Sequence, residues 1–266
     1  MQTDTTMVKR RPYSYAMLAL LCAGLASPSA GWADSGGSGL GAPVTGASGS
    51  SATTSGTISE PRTSATLHSA DVTISTSGGG ITLQTQSSAI LHKALMFTGS
   101  VPSAAGKTIE IQRSGHQTGW TWTNTVHTTV AADGSFGATW TANHIGRFAM
   151  RAVIASDDSA STASVTPPLT TTVYRPSRAS WFGPGMYGTR TACGIKLTKH
   201  TIGVANKTLP CGMRVAIYYR GQALTVPVID HGPYVAGRDW DLTAATAQVL
   251  GIDGVALIGA VSLPTP

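Results

Sequence analysis

From about Ala70 to Tyr174 the chain is written in short runs that alternate, imperfectly, between apolar and polar positions: ILHKALMFTGSV, KTIEIQRS, GWTWTNTVHTTV, SFGATWTA, GRFAMRAVIAS and TASVTPPLTTTVY. Period-two alternation in Thr, Val, Ile and aromatic residues, cut by Gly, Asp-Gly and Pro-Ser, predicts short antiparallel strands. Repeated at regular turn spacing, these runs predict an immunoglobulin-like β-sandwich over residues 71–174. AADGSF, Ala131 to Phe136, is the predicted hairpin turn, because Asp-Gly tolerates positive φ. Trp120, Trp122 and Trp140 form either part of the core or a sugar-stacking patch.

Val173 to Ser177 reads as a short, Pro-bearing joint, after which the pattern changes. MRVAIYYRG, QALTVPVID and GVALIGAVSL predict further strands within 178–263. One helix interrupts them. Leu242, Ala245, Val249 and Leu250 share a helical face, Asp241 is placed to cap it, and Gly251 supplies the stop. The fold class is therefore all-β, in two domains.

Upstream of the strands the composition is different. Lys9, Arg10 and Arg11 precede an apolar run, Met17 to Leu25, that is too short to span a bilayer. Small residues follow, and Gly31-Trp32-Ala33 forms a cleavage site before Asp34. Residues 1–33 thus read as a secretory signal peptide, whose removal leaves no integral membrane segment and sends the protein out of the cytoplasm. Cys22 follows Leu21 rather than the small residue that lipidation needs, so it leaves with the signal. Residues 34–70 are rich in Gly, Ser and Thr and nearly free of large apolar side chains, and so read as a flexible tether.

The formal net charge is +6. A cell wall, a membrane surface or nucleic acid would suit that sign, but no Lys/Arg stripe marks a nucleic-acid face, and none is expected as a partner. Secretion leaves two cysteines, Cys193 and Cys211, in an oxidising compartment, where an even pair argues for a disulfide. Two sulfurs and the intervening His200 make a poor metal site, so no metal is expected.

Four ordered motifs then carry a resemblance: Ser180-Trp181-Phe182-Gly183 with Gly188 and Thr191-Ala192-Cys193-Gly194; VANKTLPCG, Val204 to Gly212; VPVIDHGPY, Val226 to Tyr234; and DLTAATAQVLG, Asp241 to Gly251. They resemble the domain of the rare lipoprotein A family, of septal ring lytic transglycosylase type. The resemblance covers about a third of the chain. It implies a six-stranded double-psi β-barrel, the fold shared with expansins and some lytic transglycosylases. It also implies peptidoglycan as the partner, a cell-wall location and no cofactor.

The departures bear on chemistry. Active members that resemble this domain carry Glu after the Thr-Ala-x-Gly motif, where this chain has Ile195, and His in the middle motif, where it has Asn206. His231 stands in place of an arginine, and no Glu occurs after Glu110. Lytic transglycosylation needs one acid to protonate the glycosidic oxygen, and the muramyl 6-hydroxyl then attacks internally. Asp230 is the acid the resemblance implies, with Asn206, His231, Trp181 and Tyr187 as substrate-binding residues. Asp-x-Gly-Pro is equally good turn chemistry, so a turn role for Asp230 stays open. Two-carboxylate hydrolysis requires Asp239 or Asp241 to come close. A glycan-binding barrel that has lost turnover is the other reading.

Overall fold

The computed structural model describes residues 65, 67–155 and 164–264; the expected signal peptide and nearly all of the expected tether lie outside them. Among the described residues the regular structure is almost entirely strand. In order these are β1 (Leu67–Ser69), β2 (Thr73–Gly78), β3 (Ile81–Gln86), β4 (Ser88–Ile90), β5 (Ala94–Ser100), β6 (Thr108–Ser114), β7 (Thr123–Thr129), β8 (Ser135–Thr141), β9 (Gly146–Ile154) and β10 (Leu169–Phe182). There follow β11 (Val204–Ala205), β12 (Arg214–Tyr219), β13 (Gln222–Asp230), β14 (Trp240–Thr243), helix α1 (Ala244–Leu250) and β15 (Ala256–Ser262).

The N-terminal strands make two sheets. One has the order β2-β3-β5-β8; the other runs β7-β6-β9 and ends on the first half of β10, with β4 parallel to it. Alternation decides which side chains meet. In β3 the pattern is strictly buried-exposed, so Ile81 and Leu83 point one way. They join Leu95, Phe97 and Trp140 of their own sheet with Ile109, Ile111, Phe148 and Met150 of the other in one shared core.

AADGSF does turn, with Gly134 at φ 82°. It is not a hairpin, however, because β7 and β8 lie in different sheets. Gly134 is needed there, since a Cβ would lie 2.9 Å from Cα of Pro102.

The C-terminal strands close a barrel. Its order is β10-β14-β11-β13-β12-β15, and β15 returns to β10. Val204, Val215, Ile217, Leu224, Val226, Val228 and Leu242 fill it. The six strands that the resemblance implies are present.

The expected joint is part of a strand. β10 runs unbroken through Arg175-Pro176-Ser177, and the described residues form a single compact unit. Its first half pairs with β9, and from Arg175 it pairs with β15. Pro176 sits where the strand exchanges neighbours, a place where its missing N–H is tolerated. The tail of the expected tether is also structured, because β1 pairs antiparallel with β13 of the barrel.

A third apolar cluster joins the two parts: Tyr174, Ala216, Ala223 and Val261 with Ala70. Tyr174 is 2% exposed, and its ring lies 5.4 Å from that of Tyr218. The Tyr218 hydroxyl donates to the Asp71 carboxylate at 2.6 Å. Gly259 makes room for this, since a Cβ there would lie 2.8 Å from Cβ of Tyr174. Gly259→Val is therefore expected to cost about 1–3 kcal/mol of stability by overpacking. An unchanged midpoint in thermal denaturation would refute that contact.

Candidate functional site

The residues of interest collect on one row across four barrel strands. Ser180 of β10 is paired with Asp241 of β14, Asp241 with Ala205 of β11, and Ala205 with Asp230 of β13. Residues in register project to the same face. The barrel interior takes the alternate positions, Ala179, Trp240, Leu242 and Val204, so the row faces outward.

Asp230 joins this row through an irregularity. Val204 is opposite Val228, yet Ala205 is opposite Asp230, so Ile229 is an extra residue on β13. A bulge of this kind re-aims the next side chain. Without it Asp230 would follow Val228 into the core. The two carboxylates are then two strand spacings apart, about 9–10 Å at the backbone.

Their environments differ. Asp230 Oδ1 accepts from the backbone N–H of Ala192 and of His231, both at 2.9 Å. It therefore ties the 191–195 loop to the end of β13. Asp241 is half-buried, and the Ser180 hydroxyl donates to its Oδ1 at 2.7 Å. Burial pushes the Asp241 carboxyl above the usual carboxylate range. The Ser180 hydrogen bond and the Arg238 guanidinium oppose that rise, and the Asp230 charge adds to it.

Asp241 is not the helix cap expected of it. Thr243 holds that position, with extended backbone and Oγ1 accepting from Thr246 N–H at 3.2 Å. β14 runs two residues further than the apolar pattern indicates, which moves Asp241 from a helix end to a strand face. Gly251 does end the helix, at φ 68°, while Val249 of the expected apolar face is exposed.

The other expected site residues divide. Asn206 is beside Asp230, with its backbone N–H donating to the Asp230 carbonyl at 3.1 Å. Its side chain is spent locally: Oδ1 accepts from the N–H groups of Thr208 and Leu209, and Nδ2 donates to the Asp239 carbonyl. His231 is exposed and turns Nδ1 to the Asn206 carbonyl at 3.3 Å. Ile195 is 40% exposed, so this apolar replacement lies at the surface. Trp181 and Tyr187 are both partly exposed. Trp181 is paired with Leu242, on the opposite face of its strand from Ser180. Tyr187 packs over Gly183, where a Cβ would meet its ring at 3.1 Å.

Cys193 and Cys211 are bonded, with Cα atoms 5.6 Å apart, as expected. The staple joins the loop that carries Ala192 to the turn before β12. The His231 ring lies within 4.8 Å of both sulfurs, but sulfurs bonded to each other offer a metal no thiolate.

A family model described as "Lytic transglycolase" matches residues 176–260, the segment that forms the barrel. Over these residues the chain is similar to the RlpA-like double-psi β-barrel family. A probable endolytic peptidoglycan transglycosylase RlpA of Synechocystis sp. is 42% identical over 76 residues, 28% of this chain and 24% of that protein. The protein of the same name from Aquifex aeolicus is 42% identical over 81 residues, 29% of this chain and 36% of that one. The endolytic peptidoglycan transglycosylase RlpA of Campylobacter jejuni is 37% identical over 72 residues, 26% of each chain. This chain therefore spans about a quarter to a third of the length of these RlpA relatives. Among solved structures, the Streptomyces papain inhibitor aligns over 34% of this chain and 93% of its own, at 22% identity and a TM-score of 0.28.

Proposed function

We propose that the RlpA-like barrel cleaves peptidoglycan glycan strands by lytic transglycosylation, outside the cytoplasm and at the cell wall, with Asp241 as the general acid. The observation that carries this is the placement of Asp241: a half-buried carboxyl, raised by burial, on an outward row shared with Asp230. A raised carboxyl keeps its proton to higher pH than an ordinary one, which suits a general acid. Ser180 fixes Oδ1 and leaves Oδ2 to carry the proton.

In the reaction Asp241 gives its proton to the glycosidic oxygen as the bond to the muramyl C1 breaks. The muramyl 6-hydroxyl bonds to C1, and its proton passes to the Asp241 carboxylate. The acid is regenerated, no water is consumed, and the product ends in a 1,6-anhydro ring. No cofactor enters. Asp230 holds the 191–195 loop through the Ala192 N–H, is itself fixed by the His231 N–H, and its charge favours the protonated form of Asp241. The N-terminal sheets, read as immunoglobulin-like, serve as a rigid support, since β10 is common to both parts.

One observation favours a glycan-binding barrel without turnover. The Asn206 amide, at the position of the family histidine, is engaged with backbone groups through both Oδ1 and Nδ2 and relays no proton. Incubation with purified sacculi separates the two readings. Release of anhydro-muropeptides by the wild type is expected. Sedimentation with sacculi and no such release would leave only the binding reading, and failure to bind at low salt would sink both.

A further inference from the structure

The three tryptophans of the N-terminal sheets have different fates. Trp140 is buried in the core. Trp122 lies beneath the Arg151 guanidinium, 4.0 Å from the ring centroid. Trp120 is 43% exposed and follows the 3₁₀ turn His116–Thr118. Its backbone is left-handed, at φ 62°, directly after Gly119 at φ 58°.

A bulky residue in that region is an outlier that persists only when its surroundings over-determine it. Here they do. Trp120 N–H donates to the Gly115 carbonyl at 2.9 Å, and Gly119 N–H donates to that of His116 at 3.1 Å. The Thr118 side-chain oxygen accepts from Gly115 N–H at 3.1 Å and its hydroxyl reaches the Thr121 carbonyl at 2.7 Å. The ring itself gains little packing in return. Its aromatic neighbour is His116, edge-on at 6.5 Å. The fold thus fixes an indole face in an unfavourable backbone state and leaves it open.

That face borders a cleft of about 220 Å³, lined by His116, Gln117, Trp120 and Arg147 on one side and by Leu263 and Pro264 on the other. Arg147 is exposed, and its Nε donates to Thr172 Oγ1 at 3.5 Å. An aromatic face accepts the C–H side of a pyranose ring, a guanidinium accepts a carboxylate in bidentate fashion, and an amide and an imidazole serve hydroxyls. The volume suits a single ring rather than an oligomer.

We propose that this cleft is a secondary carbohydrate site for one carboxylate-bearing pyranose ring, stacked on Trp120 and held by Arg147. It shares no residue with the row of Asp241 and Asp230.

The test is calorimetric titration of the full chain with the disaccharide of N-acetylglucosamine and N-acetylmuramic acid, beside neutral chitobiose. The wild type is expected to prefer the acidic disaccharide. Trp120→Gly is the informative variant, because glycine adopts the left-handed backbone freely. It is expected to bind roughly tenfold more weakly, with a thermal midpoint no lower than that of the wild type. A purely structural tryptophan would show a lowered midpoint and unchanged binding, and that result overturns the proposal. Arg147→Gln is expected to abolish the preference over chitobiose; equal binding of the two sugars by the wild type overturns the carboxylate assignment. Asp241→Asn is expected to leave this binding intact, and its loss in that variant would move the site to the barrel. Trp120-dependent binding without any cleavage of sacculi would uphold this site and count only against the transglycosylase reading.

Discussion

Asp241→Asn is expected to lower anhydro-muropeptide release by about 10²–10⁴-fold while sacculus binding persists. The substitution keeps the size of the side chain and an acceptor for the Ser180 hydroxyl, and removes only the transferable proton. The pH dependence gives a second readout. A carboxyl whose folded pKa lies above its unfolded one contributes stability that is complete below the unfolded pKa and lost as pH rises through the folded pKa. Burial raises Asp241, so ionising it in the folded state is unfavourable. The asparagine variant carries no such charge. It is therefore expected to match or exceed the wild type in stability at neutral pH, with the difference vanishing once the medium is acid enough to protonate an ordinary aspartate. Wild-type cleavage is expected to fall as pH rises through the raised Asp241 pKa, because only the protonated form donates. Full activity in Asp241→Asn would remove Asp241 as the acid. Asp230→Asn, with activity lost beside an active Asp241→Asn, would install Asp230 in its place.

The resemblance pointed to Asp230, and a capping signal drew attention away from Asp241. Asp before an apolar helical pattern is a strong capping signal, and Thr243 two residues later offers the same signal more weakly. The local choice between them was settled by pairing: β14 continues against β10 and β11 until Leu242 and Thr243 are bonded, and the helix starts only then. Trp240 and Leu242 flank Asp241 with two buried apolar side chains, which is the alternation of a strand with Asp241 on the outer face. That pattern was present in the residues but is short, and a short run competes poorly with a cap signal.

The bulge at Ile229 was not legible at all. No glycine marks it, and VPVID reads as an uninterrupted strand. Only the pairing of β11 with β13 reveals that Asp230 faces outward. Likewise the Pro-bearing stretch at Arg175 to Ser177 has the composition of a joint. It is a strand because each half of β10 finds partners in a different sheet, a property of long-range pairing that local composition does not carry. By contrast strands β12, β13 and β15, the Gly251 stop and the cysteine pairing followed from patterns within a few residues or from a count.

Removal of the staple, as Cys193→Ser with Cys211→Ser, is expected to destabilise the chain by about 3 kcal/mol in the chain-entropy model. The corresponding fall in the thermal midpoint is roughly 6–12 °C for a chain of this size. The closed segment spans 18 positions in sequence, and its only regular structure is the two residues of β11. Elsewhere it is anchored by buried Leu197, the Thr198–Thr201 hydroxyl pair, Gly203 bonded to Thr246, and Asn206 bonded to Asp230 and Asp239. These anchors form only on folding, so in the unfolded state the disulfide alone constrains the segment. Ala192, directly before the staple, supplies the N–H that holds Asp230 Oδ1. Loosening the staple is expected to weaken that hydrogen bond, free Asp230 to rotate, and reduce cleavage of sacculi more than the fall in folded fraction accounts for. Circular dichroism melts and sacculus digestion of the double variant, taken well below its midpoint, measure both effects. An unchanged midpoint would show that the loop is held by its anchors alone. A lowered midpoint with full activity would show that Asp230 keeps its place without the staple.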